Sequence, residues 1–190
     1  TPTDPFERVK GVWDGIYISS DAGGSATISF VTASDAYTAI NVGGYGCGSL
    51  TISDSVFENN DTAFSALFVN NDIDIERCVF ENNVYAVQGE NIQIFDSVFR
   101  NNWVGLFETN GVDVYSCTFI GNDVALYGGR GDVQYCVIRE NGMGVQGLYE
   151  GFSLSNNTIT SNLIRVILSE VESSSAPIEF NNIYGNSFTN

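Results

Sequence analysis

Six asparagines, Asn60, Asn83, Asn102, Asn122, Asn141 and Asn162, each close one copy of the same eleven-residue phrase. The copies are LTISDSVFENN from Leu50, IDIERCVFENN from Ile73, IQIFDSVFRNN from Ile92, VDVYSCTFIGN from Val112, GDVQYCVIREN from Gly131 and FSLSNNTITSN from Phe152. They begin 23, 19, 20, 19 and 21 residues apart. An uneven period near twenty marks a solenoid, whose copies touch only their neighbours.

The first and third positions of each phrase are apolar, as in Ile73/Ile75, Ile92/Ile94 and Val112/Val114, with a polar residue between them. That two-residue alternation is the signature of a strand. Gly131 is the one gap in it. A second apolar site follows at Phe57, Phe80, Phe99, Phe119, Ile138 and Ile159, and after each asparagine comes a further short apolar run, such as VYAVQG or VALYGG. Each copy thus offers about three short strands, which bury their apolar side only by stacking on the next copy. The recurring asparagine is expected to tolerate a left-handed turn and to donate its amide to the asparagine above, at the strand spacing of about 4.8 Å. Its role is structural.

Weaker copies flank the set: ATISFVTASDA from Ala26, with Ile28 inward, and NNIYGNSFTN from Asn181, with Ile183 and Phe188 inward. One domain spans the chain, with residues 1–25 as a lead-in and 26–190 as coils. DPFERVKG is expected to cap the first coil, and WDGIYI to enter the sheet. A start at Thr1 without Met or an apolar leader, and an end in mid-phrase, suggest a processed piece of a longer secreted or surface-displayed chain.

The repeated I-x-I-x-x-[SC]-x-F-x-x-N phrase, the WDGIYI run and the VYAVQGEN-like second halves resemble the right-handed parallel β-helix proteins, the group of pectate-lyase-like, carbohydrate-binding and sugar-hydrolase repeats. The resemblance covers nearly the whole chain. It implies an all-β, single-stranded, right-handed parallel β-helix of about seven or eight coils of 19–24 residues. It leaves the function open, because the group includes lyases, hydrolases, epimerases, tailspikes, adhesins and inert scaffolds.

A net charge of −16, from 23 acidic and seven basic residues, makes nucleic acid and anionic membranes poor partners. No run approaches the roughly 20 apolar residues of a membrane helix. Of the four cysteines, Cys78, Cys117 and Cys136 share one phrase position with Ser55, Ser97 and Asn157; Cys47 lies outside the phrases. Buried free thiols, a Cys117–Cys136 bridge and a metal site are the alternatives for that column. The absence of histidine and of CxxC spacing speaks against zinc and copper. The sequons at Asn60 and Asn156 are chance products of an Asn-, Ser- and Thr-rich chain.

Function is sought on the outward positions. One row is Thr51, Asp74, Gln93, Asp113, Asp132 and Ser153; the next is Ser53, Glu76, Phe95, Tyr115, Gln134 and Ser155. Asp74, Glu76, Gln93, Asp113, Asp132 and Gln134 beside Phe95 and Tyr115 suit a polysaccharide or cell-surface glycan, whose rings have apolar faces and hydroxyl edges. The leading expectation is a non-catalytic recognition or scaffold domain. The alternatives are a polysaccharide lyase or glycoside hydrolase acting through Asp74, Asp113 and Asp132, and a structural fibre, tailspike or adhesin segment. Asp113 and Asp132, one coil apart, are the candidate catalytic pair and a candidate site for a hard cation such as Ca²⁺; no other cofactor is expected. Arg77, Arg100, Arg130 and Arg139 are available as bases, as the resemblance to pectate lyases implies for an arginine, yet none lies in a motif of that group. Val56, Val79, Val98, Thr118 and Val137, each before the second inward residue, form an outward apolar stripe suited to a neighbouring domain, a homo-oligomer or a covering loop at 169–177.

Overall fold

A computed structural model describes residues 12–19, 24–44, 48–67, 72–163, 165–169 and 178–187, and these contain strands but no helix. Leu50, Ile73 and Ile92 lie level in adjacent parallel strands, as do Ile52, Ile75 and Ile94. The alternation read from sequence thus becomes vertical columns, and the fold is an all-β parallel solenoid of about seven turns. Every first- and third-position residue from Leu50 to Leu154 is buried, apart from Gly131, which is half-buried.

Each turn has three sides. A strand such as Asp72–Glu76 is followed, across one corner, by a three-residue strand such as Val79–Glu81 and, across a second, by a third side such as Thr62–Ala66 or the start of Tyr85–Phe95. The three-residue strands make an eight-stranded sheet of their own, while the other two sides belong to a twelve-stranded one. Both corners use left-handed residues. Asp54, Arg77, Asp96, Ser116, Tyr135 and Asn156 hold the first, with φ of 49–58°, and Asn59, Asn82, Asn101, Gly121, Glu140 and Ser161 the second, with φ of 56–67°.

The left-handed residue at the second corner is therefore the one before the ladder asparagine, which corrects the expected division of labour. The asparagine itself is free to turn inward and bond. Asn102 shows the pattern: its Nδ2 donates to Phe80 O (3.0 Å) and to Asn122 Oδ1 (3.0 Å), and its Oδ1 accepts from the backbone N–H and the Nδ2 of Asn83 (2.9 and 3.0 Å). The same bonds link Asn60, Asn83, Asn102, Asn122, Asn141, Asn162 and Asn186, and the ladder starts at the Ala36 N–H. Buried amides survive here because every polar atom finds a partner.

A second ladder stands at the first corner, where sequence suggested only a column of small side chains. The Cys78 N–H donates to Ser97 Oγ, Ser97 to Cys117 Sγ, Cys117 to Cys136 Sγ, Cys136 to Asn157 Oδ1 and Asn157 to Asn181 Oδ1. Cys78, Cys117 and Cys136 are free and buried, so no Cys117–Cys136 bridge forms. Each thiol also donates to the carbonyl two residues back, at 3.2–3.3 Å. Burial pushes the Cys78 thiol up to about 11, and the bond to Cys136 together with burial pushes Cys117 up. Cys78 and Cys117 are thus held as protonated, inert rungs, and Cys136 is a rung through its bonds to Cys117.

Between the ladders runs the core stack of Phe57, Phe80, Phe99 and Phe119, all fully buried, with ring centroids 5.2, 4.9 and 4.5 Å apart and planes within 14°. From Tyr85 onward the expected third strand and the next first strand merge into single strands of 11–13 residues, such as Tyr85–Phe95 and Val124–Gln134. Coil length explains the change. The copies begun at Ala26 and Leu50 are 24 and 23 residues long, whereas the shorter copies cross over by a register shift near glycine.

Gly131 sits at one such shift, with φ of +129°, and a Cβ there would lie 2.3 Å from Val112 O. The gap in the apolar pattern is thus a steric requirement. Gly131→Val, which restores the repeat on paper, is expected to lower stability by roughly 2–3 kcal/mol in urea unfolding. A neutral or stabilising result would show that the crossover is not built as described.

Ile16–Ser19 enters the sheet by pairing with Thr38–Gly43, as expected for WDGIYI. At the other end Asn182, Ile183 and Tyr184 pair with Thr158, Ile159 and Thr160, which makes Asn181 a rung of the second ladder and Asn186 a rung of the first. Ile183 takes the register of Ile159 as expected but is exposed rather than buried, and sequence reading overlooked both asparagines. The expected cap at 4–11, Cys47, the segment 170–177 and Phe188 lie outside the described residues.

Candidate functional site

Parallel pairing brings the two outward rows into register. Asp74 and Gln93 are partners, then Gln93 and Asp113, and farther along Asp132 and Ser153; in the next row Glu76, Phe95, Tyr115, Gln134 and Ser155 follow in order. Both rows are half-buried or exposed from Asp74 onward.

Over this face lies an open groove of about 510 Å³ lined by Asp72, Ile73, Asp74, Asn91, Gln93, Gly111 and Asp113. Asp74, Gln93 and Asp113 were expected there. Asp72, Asn91 and Gly111 were not, because they form the row just before the first apolar residue of the phrase. Gly111 is the rung without a side chain in that row. The register that signals the fold is also the signal that would have found them.

The charges are unevenly countered. Burial, then the neighbouring charges of Glu76 and Asp72, raises the Asp74 carboxyl above its ordinary range. Glu76 is engaged by Arg77 Nη1 at 2.7 Å, while Arg77 also clasps Asp54 through two bonds of 2.8 and 2.9 Å and holds that carboxyl low. Because the folded state raises the Asp74 pKa, its contribution to stability is present below the unfolded value near pH 4 and is lost as pH rises through the folded one. Asp74→Asn is therefore expected to raise the melting temperature at neutral pH and to give no gain near pH 3, where carboxyls are protonated. Thermal melts at the two pH values check this, and an equal gain at both would contradict it.

Phe95 and Tyr115 do stand side by side, with centroids 5.4 Å apart and planes 12° from parallel. In that geometry each ring covers one face of the other, so the pair presents edges and outer faces rather than one flat platform. Burial, then the charges of Asp113 and Asp132, raises the Tyr115 hydroxyl pKa. Asp113 Oδ1 accepts the Asp132 backbone N–H at 3.0 Å, and the Asp132 carboxylate accepts from Ser153 Oγ. Both aspartates thereby tie neighbouring coils together. Among the described residues, no three His, Cys, Asp or Glu side chains gather as a metal-binding group. Of the arginines named as bases, Arg77, Arg100 and Arg139 are paired with Asp54 and Glu76, with Glu81, and with Glu140. Arg130 is exposed.

A further half-exposed aromatic group, which sequence reasoning missed, lies on the third side. Tyr85 is tilted against Trp103 (5.7 Å) and Phe107 (4.6 Å), and Phe107 stacks on Tyr127 (5.5 Å). Its residues lie outside the phrase, in the variable run after the asparagine, where no fixed spacing lines them up by eye.

No family model, curated protein or solved structure matches the chain.

Proposed function

We propose that this protein is a non-catalytic, extracellular recognition scaffold that binds carbohydrate in the groove between Asp72 and Asp113. The observation that carries the proposal is the groove itself: three carboxylates and two amides line about 510 Å³, with the Phe95–Tyr115 stack in the next row along the strands. Carboxylates and amides accept and donate to sugar hydroxyls, while aromatic carbon covers the apolar side of a ring. Asp72, Asp74 and Asp113, on a chain of net charge −16, favour glycans without carboxylate or sulfate groups. Catalysis is less well served, since Asp113 and Asp132 are held by interstrand bonds and three arginines by carboxylates.

The test is a glycan-binding screen with a parallel assay for reducing or unsaturated products, each with and without Ca²⁺. We expect a neutral glycan to bind without turnover, and Asp74→Asn/Asp113→Asn to weaken it at least about tenfold, or ~1.4 kcal/mol. Turnover abolished by Asp113→Asn would make the protein a lyase or hydrolase instead. Failure to bind any glycan would favour a purely structural fibre or adhesin segment.

A further inference from the structure

The side formed by the three-residue strands carries two outward rows. One is Val56, Val79, Val98, Thr118, Val137 and Thr158, in register and half-buried, so the stripe expected from sequence does face outward. The other is Glu58, Glu81, Arg100, Ile120, Arg139 and Thr160. Its charge is polarised along the solenoid axis, acidic in the early coils and basic in the later ones. The polarity stands out because the whole chain has only seven basic residues.

From this arrangement we propose that the face binds a second copy of the same chain, antiparallel, about a two-fold axis that crosses the strip at Val98 and Arg100. A two-fold running across the strip reverses the solenoid axis and keeps each row opposite itself. Val98 then meets its own copy, Val56 meets Val137, and Glu58 comes opposite Arg139. Glu58 makes no ion pair with a described residue of its own chain, and Arg139 is paired only with exposed Glu140 beside it. Arg100, on the axis, is already neutralised by Glu81 at 2.6 Å, so the two central guanidinium groups come together as ion pairs and not as bare charges. A parallel arrangement about the valine row would set Glu58 against Asp54 and Arg139 against Tyr135, so neither gains an opposite charge there.

From Val56 to Thr158 the strip is about 24 Å long, five intervals of about 4.8 Å. With three-residue strands about 10 Å wide, the strip offers roughly 240 Å² per copy, below what a stable dimer buries, which makes the dimer weak and concentration-dependent. The proposal does not rest on glycan binding, since the groove lies on another side of the solenoid.

Sedimentation velocity of the full chain near physiological salt, across a wide concentration range, is the test. Wild type is expected to shift from monomer to dimer as concentration rises. Glu58→Arg and Arg139→Glu, each confirmed folded by circular dichroism, are each expected to stay monomeric over that range, and their equimolar mixture to recover a dimer. Monomeric wild type at every concentration, single variants that dimerise like wild type, or a mixture of folded variants that fails to associate would each overturn the proposal. Val98→Glu, which places two carboxylates at the axis, is expected to abolish the dimer, and its persistence in that variant would also overturn it.

Discussion

Asn102→Ala is expected to lower the stability of the solenoid by roughly 3–6 kcal/mol. The substitution removes the side chain that accepts from the Asn83 N–H and Nδ2 and donates to Phe80 O. Three buried hydrogen bonds are lost, although Asn83 Nδ2 keeps its bond to Phe57 O, and each loss costs on the order of 1–2 kcal/mol. Asn122 Oδ1 keeps the Asn102 backbone N–H, so the coil beyond is spared. The loss should shrink toward the end of the ladder, because Asn186 is only part-buried and water can replace its bonds. Urea unfolding of Asn102→Ala and Asn186→Ala measures both. Equal small losses would mean that the ladder is ornament on a fold held by its apolar columns alone.

Phe99→Ala is the companion case for the core. Phe99 is fully buried between Phe80 and Phe119, with centroids 4.9 and 4.5 Å away. Truncation forfeits the transfer of the ring and leaves a cavity that neighbouring coils, pinned by two ladders, collapse into poorly. We expect a loss of about 3–5 kcal/mol, and clearly less for Phe99→Leu. Because a solenoid is coupled only through neighbours, the defect should also broaden the unfolding transition as the halves separate. A loss under about 1 kcal/mol would show that the stack is looser than its spacing implies.

Much of this architecture could be read from the phrase. Its alternation gave the inward columns from Leu50 to Leu154, and its asparagines gave the register that aligned Asp74, Gln93 and Asp113 on one face. What escaped was chemistry carried by dissimilar residues in equivalent places. Ser97, Cys117, Cys136 and Asn157 are of three side-chain types, yet each offers one inward acceptor, and only the backbone register reveals them as a ladder. The left-handed corner residues Asp96, Ser116 and Tyr135 were equally unreadable, since two coupled ladders force that backbone on almost any residue. The groove was half seen because Asp72, Asn91 and Gly111 precede the apolar pattern, and the Tyr85–Trp103–Phe107 cluster was unseen because it lies in the run where the spacing varies.

The register also gives the site its location, and that link is testable in solution. Titrating the ¹⁵N-labelled chain with a neutral glycan from the screen, followed by amide chemical shifts, locates the contact without presuming chemistry. The account predicts saturable shifts centred on Asp72–Asp74, Asn91–Gln93 and Gly111–Asp113, with the valine side unmoved. Shifts confined to another side of the solenoid, or none with any glycan, would contradict it.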